Sequence, residues 1–273
     1  MSALVASAPE PKAVIVAVHG GATSAAYFDC PGRPSLSLLR AAVADGYTAI
    51  ALDRPGYGAS AFYHDRMTEP DRRVGFALGA VDKILGESPR GAGLFLVAHS
   101  AGCELGLRMA VDGRATGVMG VELSGTGLRY GEEAKAVISQ ATATSRPAGL
   151  RNLLWEPTNL YPPEVLTSGL SAPGAPYEAD VTANWPRRDF PDVAGRVTVP
   201  VEFSVAEHER VWETTPEATA AIAALFTASP KVLVNEMEDS GHNLSVGWRA
   251  DEYHRRVLSF VDACATRVES DAG

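Results

Sequence analysis

The sequence predicts an α/β fold: about six mostly parallel strands, helices on both faces, and an inserted cap. Two observations carry that expectation. Six short runs rich in β-branched and aliphatic residues alternate with segments whose apolar residues recur at three- and four-residue steps, and one long stretch in the middle of the chain breaks the alternation. A third bounds it: of 273 residues, 46% are hydrophobic and 21% charged, which suits one sizeable core and excludes disordered and collagen-like chains.

The strand runs are residues 12–18, 47–52, 94–98, 118–123, 199–205 and 232–237. Nearly every side chain in them is apolar, as in strands covered on both faces. Crossover helices are expected at 35–44, 72–85, 101–111, 216–227 and 248–267, and right-handed connections wind them onto the two faces of the sheet. Residues 125–196 are the interruption: a helical patch at 132–143, then chain punctuated by Pro157, Pro162, Pro163, Pro173, Pro176 and Pro186. Roughly seventy residues without alternation are uncommon unless they form a lid or a binding element. The stretch is therefore expected to be a cap inserted into a single domain spanning 1–273. Its seven basic and eight acidic residues leave it almost neutral, so the remainder carries nearly all of the net charge of −9.

That negative charge excludes a cationic footprint for nucleic acid or an anionic membrane. No leader or spanning segment is visible. Three cysteines, Cys30, Cys103 and Cys264, make neither a disulfide scaffold nor a C-x-x-C pair. A small-molecule substrate in a reducing, cytoplasmic compartment is the expectation.

Chemistry concentrates where strands end. Ala98-His99-Ser100-Ala101-Gly102 closes one strand and opens a helix, the setting of a nucleophile elbow, in which a strained serine needs small residues two before and two after it. Ala98 and Gly102 meet that demand; the competing reading of Ser100 is a helix cap. His242 follows the last predicted strand within Asp239-Ser240-Gly241-His242-Asn243-Leu244, on the carboxyl edge where open α/β sheets bind ligands. A serine needs such a base to become nucleophilic. A carboxylate must in turn hold the imidazole. The run 199–205 ends in Ala206-Glu207-His208-Glu209-Arg210, from which Glu209 is chosen as the deeper of the two acids, with Glu207 as fallback. His19-Gly20-Gly21-Ala22, after the first run, offers glycine N–H groups to a developing oxyanion, and the backbone of Gly21 and of Ala101 is assigned to that hole.

In this order, with Asp53-Arg54-Pro55-Gly56-Tyr57-Gly58-Ala59-Ser60 as a turn after the second run, these motifs resemble the α/β-hydrolase superfamily over nearly the whole chain. The resemblance implies a Ser100–His242–Glu209 triad and gives the Asp53–Ser60 loop a structural, non-catalytic part. The chain starts almost at the first glycine-terminated strand, so the superfamily's two leading antiparallel strands are expected to be missing. The serine argues against the dehalogenase and epoxide hydrolase branches, which carry an aspartate there. What remains is acyl chemistry: hydrolysis of an ester or thioester of a small or aromatic acyl group. With another acceptor the same groups make an acyltransferase moving the acyl group, including from an acyl carrier protein, to an alcohol or thiol. The cap and Glu209 are similar to those of actinobacterial hydrolase-like proteins of natural-product pathways, thiopeptide indolyl-transfer enzymes among them. A third reading is a ligand-binding protein on this scaffold without turnover, against which the intact trio argues. Trp155, Tyr161, Trp185 and Trp212 are the candidates for lining an aromatic acyl pocket, core packing being the competing use. No metal-ligand spacing and no G-x-G-x-x-G opening a helix is present, so neither metal nor organic cofactor is expected.

Overall fold

A computed structural model describes residues 1–30, 32–140, 147–167 and 169–272. Seven strands form one sheet in the order β1-β3-β2-β4-β5-β6-β7. They are β1 (Ala3–Ala6), β2 (Val14–Val18), β3 (Thr48–Leu52), β4 (Leu94–His99), β5 (Val118–Ser124), β6 (Val201–His208) and β7 (Val232–Gly241). Six pair in parallel. The seventh, β1, pairs antiparallel with β3, Ala3 opposite Leu52. It corrects the expectation of six strands and of no leading antiparallel strand. Four residues long, with Leu4 and Val5 exposed, it carries no burial pattern that the sequence could display.

The central strands β2, β3 and β4 are buried along their length because both faces of the sheet are covered there. Val14, Val16 and Val18 of β2 and Leu94, Leu96 and Ala98 of β4 join one apolar cluster. Their alternating neighbours Ile15, Ala17, Phe95 and Val97 join the other, as the two-residue period of a strand requires. Helices α1 (Leu38–Ala44), α2 (Pro70–Leu85) and α3 (Gly102–Ala110) follow β2, β3 and β4. The first cluster takes Val74, Leu78 and Val81 of α2 and Leu105 and Met109 of α3, and the second takes Leu38 and Leu39 of α1.

Between β5 and β6, the segment expected as a cap contains α4 (Glu132–Ile138), α5 (Leu150–Trp155), α6 (Pro163–Thr167), α7 (Glu178–Asn184), one π-helical turn (Trp185–Asp189) and α8 (Phe190–Ala194). The helical patch read at 132–143 thus ends at Ile138, and its residues 141–143 lie outside those described. Phe190, Val193 and Ala194 of α8 enter the first core cluster, so this end of the segment is built into the main hydrophobic interior. The chain then closes through α9 (Pro216–Ala223) and α10 (Ala250–Ala272), and the latter packs Tyr253, Val257 and Val261 into the second cluster. Among the described residues no helix is long and apolar enough to cross a membrane.

Because β2, β4, β6 and β7 run in parallel, their carboxyl ends open on one edge. They deliver His19-Gly20-Gly21, Ser100, Glu209 and His242 there.

Candidate active site

Ser100 sits between β4 and α3 with φ of +52°, a left-handed conformation that costs a non-glycine residue of order 1–3 kcal/mol and persists where surrounding structure enforces it. The enforcement is visible. Its N–H donates to the Ser124 carbonyl and its own carbonyl accepts from the Cys103 N–H, at 2.8 and 2.9 Å. The small flanks are steric necessities. A Cβ on Gly102 would stand 2.5 Å from the carbonyl oxygens of both Val18 and His19, and one on Gly20 would stand 3.0 Å from the Ser100 Cβ. Ala98 occupies the other small position because Gly106, on the facing turn of α3, leaves room: a Cβ there would come within 2.7 Å of the Ala98 methyl.

His242 brings Nε2 to 3.1 Å from Ser100 Oγ. Its Nδ1 lies 2.8 Å from Glu209 Oε2 and 3.0 Å from Oε1. Both side chains are almost fully buried, 1% exposed for His242 and 4% for Glu209. Glu209 turns inward because its N–H bonds back to the Ala206 carbonyl at 3.2 Å, closing a turn as β6 ends. Its Oε1 also accepts the Val211 N–H at 2.8 Å. Glu207, still on β6, points away; its carboxylate accepts the Asp239 N–H at 2.8 Å and lies far more exposed. The structure therefore brings Glu209, and not Glu207, to the imidazole.

His99 lies beneath that imidazole, 5.0 Å between ring centroids, and stacks on Tyr27. Burial first, then the neighbouring His242, pushes its pKa well below the histidine range, so it stays neutral and adds no charge beside His242. Gly125, with φ of +64°, makes room for both rings: a Cβ there would meet His99 Cε1 at 2.8 Å and His242 Cε1 at 3.0 Å.

Gly21 and Ala101 stand side by side, a Cβ on Gly21 lying 3.7 Å from that of Ala101. Among the described residues neither N–H is used in a hydrogen bond. Unspent backbone N–H groups are what an oxyanion site requires.

Of the four aromatic residues expected at a pocket, three are buried and engaged in packing or hydrogen bonds. Tyr161, 2% exposed, accepts the Asn243 N–H at 3.2 Å, and a Cβ on Gly241 would collide with its hydroxyl at 2.4 Å; it buttresses the His242 loop. Trp185 donates to Thr126 Oγ1 and stacks on Phe190 in the core. Trp212 donates to the Gly125 carbonyl and stacks on Tyr130. Trp155, half-buried, packs edge-on against Tyr161. Core packing is thus what Tyr161, Trp185 and Trp212 do.

Three residues found beside the site, Arg54, Tyr57 and Glu178, carry no site role in the sequence reading. The Tyr57 hydroxyl accepts the Ala22 N–H at 3.0 Å. The Arg54 guanidinium bonds the Gly20 carbonyl and the carboxylate of Glu178. Asp53 and Ser60, in the same loop, are structural. Asp53 accepts from Ala25 N–H and Ser2 Oγ, and Ser60 Oγ bridges the Gly56 N–H and the Tyr57 carbonyl. Among the described residues no group of three histidine, cysteine or carboxylate side chains could hold a metal ion.

The sequence profile of the alpha/beta hydrolase family matches residues 15–256. Similar solved structures include a lipase-esterase related protein from Clostridium acetobutylicum, 16% identical over 95% of this chain and 98% of the other, with a TM-score of 0.69. The enol-lactonase from Burkholderia xenovorans is 17% identical over 96% of each chain, with a TM-score of 0.65. MenH from S. aureus is 18% identical over 96% and 98%, with a TM-score of 0.63. None of the curated proteins matches the sequence.

Proposed function

Because the chain belongs to the alpha/beta hydrolase family, we propose that it is a serine-dependent acyl-transfer enzyme that hydrolyses an ester or thioester of a small or aromatic acyl group. One observation carries the reading: an unbroken series from hydroxyl to imidazole to carboxylate, 3.1 Å and then 2.8 Å. The names of similar structures, an enol-lactonase and a lipase-esterase related protein among them, belong to the same chemistry. Ser100 Oγ attacks the acyl carbon while His242 Nε2 takes its proton. Glu209 holds Nδ1–H, which fixes the tautomer that can accept, and stabilises the imidazolium. The N–H groups of Gly21 and Ala101 receive the oxyanion. Collapse expels the alcohol or thiol with the proton from Nε2–H. Water, deprotonated by the same imidazole, then releases the acid and regenerates Ser100. Three buried free thiols suit a reducing cytoplasm, where we place the reaction.

The test is covalent. A fluorophosphonate is expected to label the wild-type protein and not Ser100→Ala. No labelling of the folded wild type would instead support the ligand-binding reading.

The same trio supports a second reading, because the imidazole that activates water can equally take a proton from an acceptor hydroxyl or thiol. In that reading an alcohol or thiol takes the acyl group, delivered as a small-molecule or carrier-protein thioester. Supplying an acyl thioester with and without candidate acceptors separates the two: free acid alone supports hydrolysis, and acceptor-dependent product supports transfer.

A further inference from the structure

The carbonyl of Gly20 and the N–H of Gly21 belong to one planar peptide unit, so whatever holds the first aims the second. Two donors hold it. His19 Nδ1 lies 2.7 Å from the Gly20 oxygen and Arg54 Nη2 lies 2.9 Å from it. The histidine can only donate there, since its Nε2 accepts the Arg54 backbone N–H at 3.0 Å. Burial, and then the charge of Arg54, drives its pKa well below the ordinary value, which keeps that neutral tautomer. The other terminal nitrogen of Arg54 is 3.5 Å from the carbonyl of Ala101, the residue bearing the second oxyanion donor. One guanidinium therefore contacts both the Gly20–Gly21 peptide and the backbone of the turn that follows Ser100.

Arg54 is 2% exposed. A buried cation needs a counter-charge, and the one provided comes from far along the chain: Glu178, the first residue of α7 in the inserted segment. Its carboxylate reaches Gly21 itself, 3.5 Å from a Cβ placed there. Tyr177, the residue before it, donates its hydroxyl to the Pro55 carbonyl at 2.9 Å. Residues 177–178 thus hold the Arg54 guanidinium and the Pro55 carbonyl from the side of the insert.

We propose that Arg54 is a positioning residue for the Gly21 N–H, and that Glu178, by holding Arg54, makes assembly of the oxyanion hole depend on the seating of the inserted segment. The proposal rests on the acyl-transfer reading for its consequence, though not for its geometry. Two adjacent glycines, Gly20 and Gly21, have wide backbone freedom, and the loop needs external fixing to keep one donor aimed. A charged donor on the carbonyl does more than aim it, because hydrogen bonds along one peptide polarise each other and strengthen the N–H. Without the Glu178 carboxylate, Arg54 loses its anion and the Gly20–Gly21 peptide its fixed orientation.

The test uses the full chain and the variants Glu178→Gln, Glu178→Asp and Arg54→Lys, each checked for a native melting transition. In Glu178→Gln, kcat for an activated ester is expected to fall about tenfold to a hundredfold, approaching the loss of one oxyanion donor, while KM stays within about twofold. Glu178→Asp, which keeps the charge, should recover part of the loss, and Arg54→Lys should lose as Glu178→Gln does. A fold defect alone would not divide kcat from KM in this way. The second readout needs no activity: the Gly21 amide proton should shift in the NMR spectrum of Glu178→Gln and exchange faster with solvent. An unmoved Gly21 amide, or kcat within threefold of wild type, overturns the proposal. Failure of the acyl-transfer reading is a different result, namely wild-type protein that a fluorophosphonate does not label, and it leaves the amide readout to decide this inference alone.

Discussion

Replacing Glu209 by glutamine isolates the contribution of a buried charge. When His242 takes the proton from Ser100, an imidazolium forms 2.8 Å from Glu209 Oε2, and neither side chain is more than 4% exposed. With the charge centres about 4 Å apart in an effective dielectric of about 20, the pair is worth about 4 kcal/mol. That is close to a thousandfold in rate at about 1.4 kcal/mol per factor of ten. Glutamine loses more than the charge. Because the Val211 N–H donates to Oε1, the amide oxygen is drawn to that site, and the amide NH₂ is left facing Nδ1. That favours a proton on Nε2, the tautomer that cannot accept from Ser100. The expected fall in kcat for an activated ester is therefore about 10³ to 10⁴, with fluorophosphonate labelling slowed in proportion and the melting transition retained. Glu207→Gln, which alters only an exposed carboxylate bonded to the Asp239 N–H, should stay within about twofold of wild type. A loss under tenfold in folded Glu209→Gln, or a larger loss in Glu207→Gln, would refute the assignment of the acid.

Other measurements reach different parts of the structure. Glu202 is buried on β6 opposite Glu122 of β5, and burial, opposed by Arg256 and Lys231, raises its pKa from 4.5 to about 7. Its folded form holds its proton more tightly than its unfolded form, so stability is lost as pH climbs from about 4.5 through 7, by roughly 3 kcal/mol in the limit. Thermal melts should show Glu202→Gln gaining on wild type between pH 5 and 8, and a difference that does not change with pH would dismiss the cause. Gly106→Ala should destabilise by about 1–3 kcal/mol through its clash with Ala98, and adding Ala98→Gly should recover stability in a double-mutant cycle; additive losses would mean that the two methyl groups do not meet. Cys103 is fully buried, with Sγ against the Ala98 and Ser124 carbonyls, and burial pushes its thiol pKa well up. Alkylation in native protein should be orders of magnitude slower than in urea, and rapid modification with loss of activity would place Cys103 on the pocket instead.

The sheet was legible where burial on both faces wrote it into composition. β2, β3 and β4 are fully buried along their length, and each lies within or one residue beyond its apolar run. β6 and β7 outrun theirs because their last residues leave the covered part of the sheet: Glu207, Glu238 and Asp239 are exposed yet remain extended through pairing between His208 and Gly241. β1 is the limiting case. Its strand character comes from the ladder it completes on β3, an interaction with residues some fifty positions away that its own four side chains do not encode.

The same division explains what was legible at the site. An elbow needs small residues at fixed offsets, a requirement satisfied within one stretch of chain, and Gly102 meets it against two carbonyl oxygens. Glu209 and His242 could be placed because parallel strands end on one edge whatever their sequence separation. Glu178 follows no such rule. It lies 124 residues from Arg54, in a segment whose charges sum almost to zero, and nothing local distinguishes it from Glu132 in the same segment, 88% exposed, whereas Glu178 is 17% exposed. The available signal was on the other partner: an arginine fixed between a strand end and a proline, in a turn too tight for its side chain to reach solvent freely, requires an anion from elsewhere.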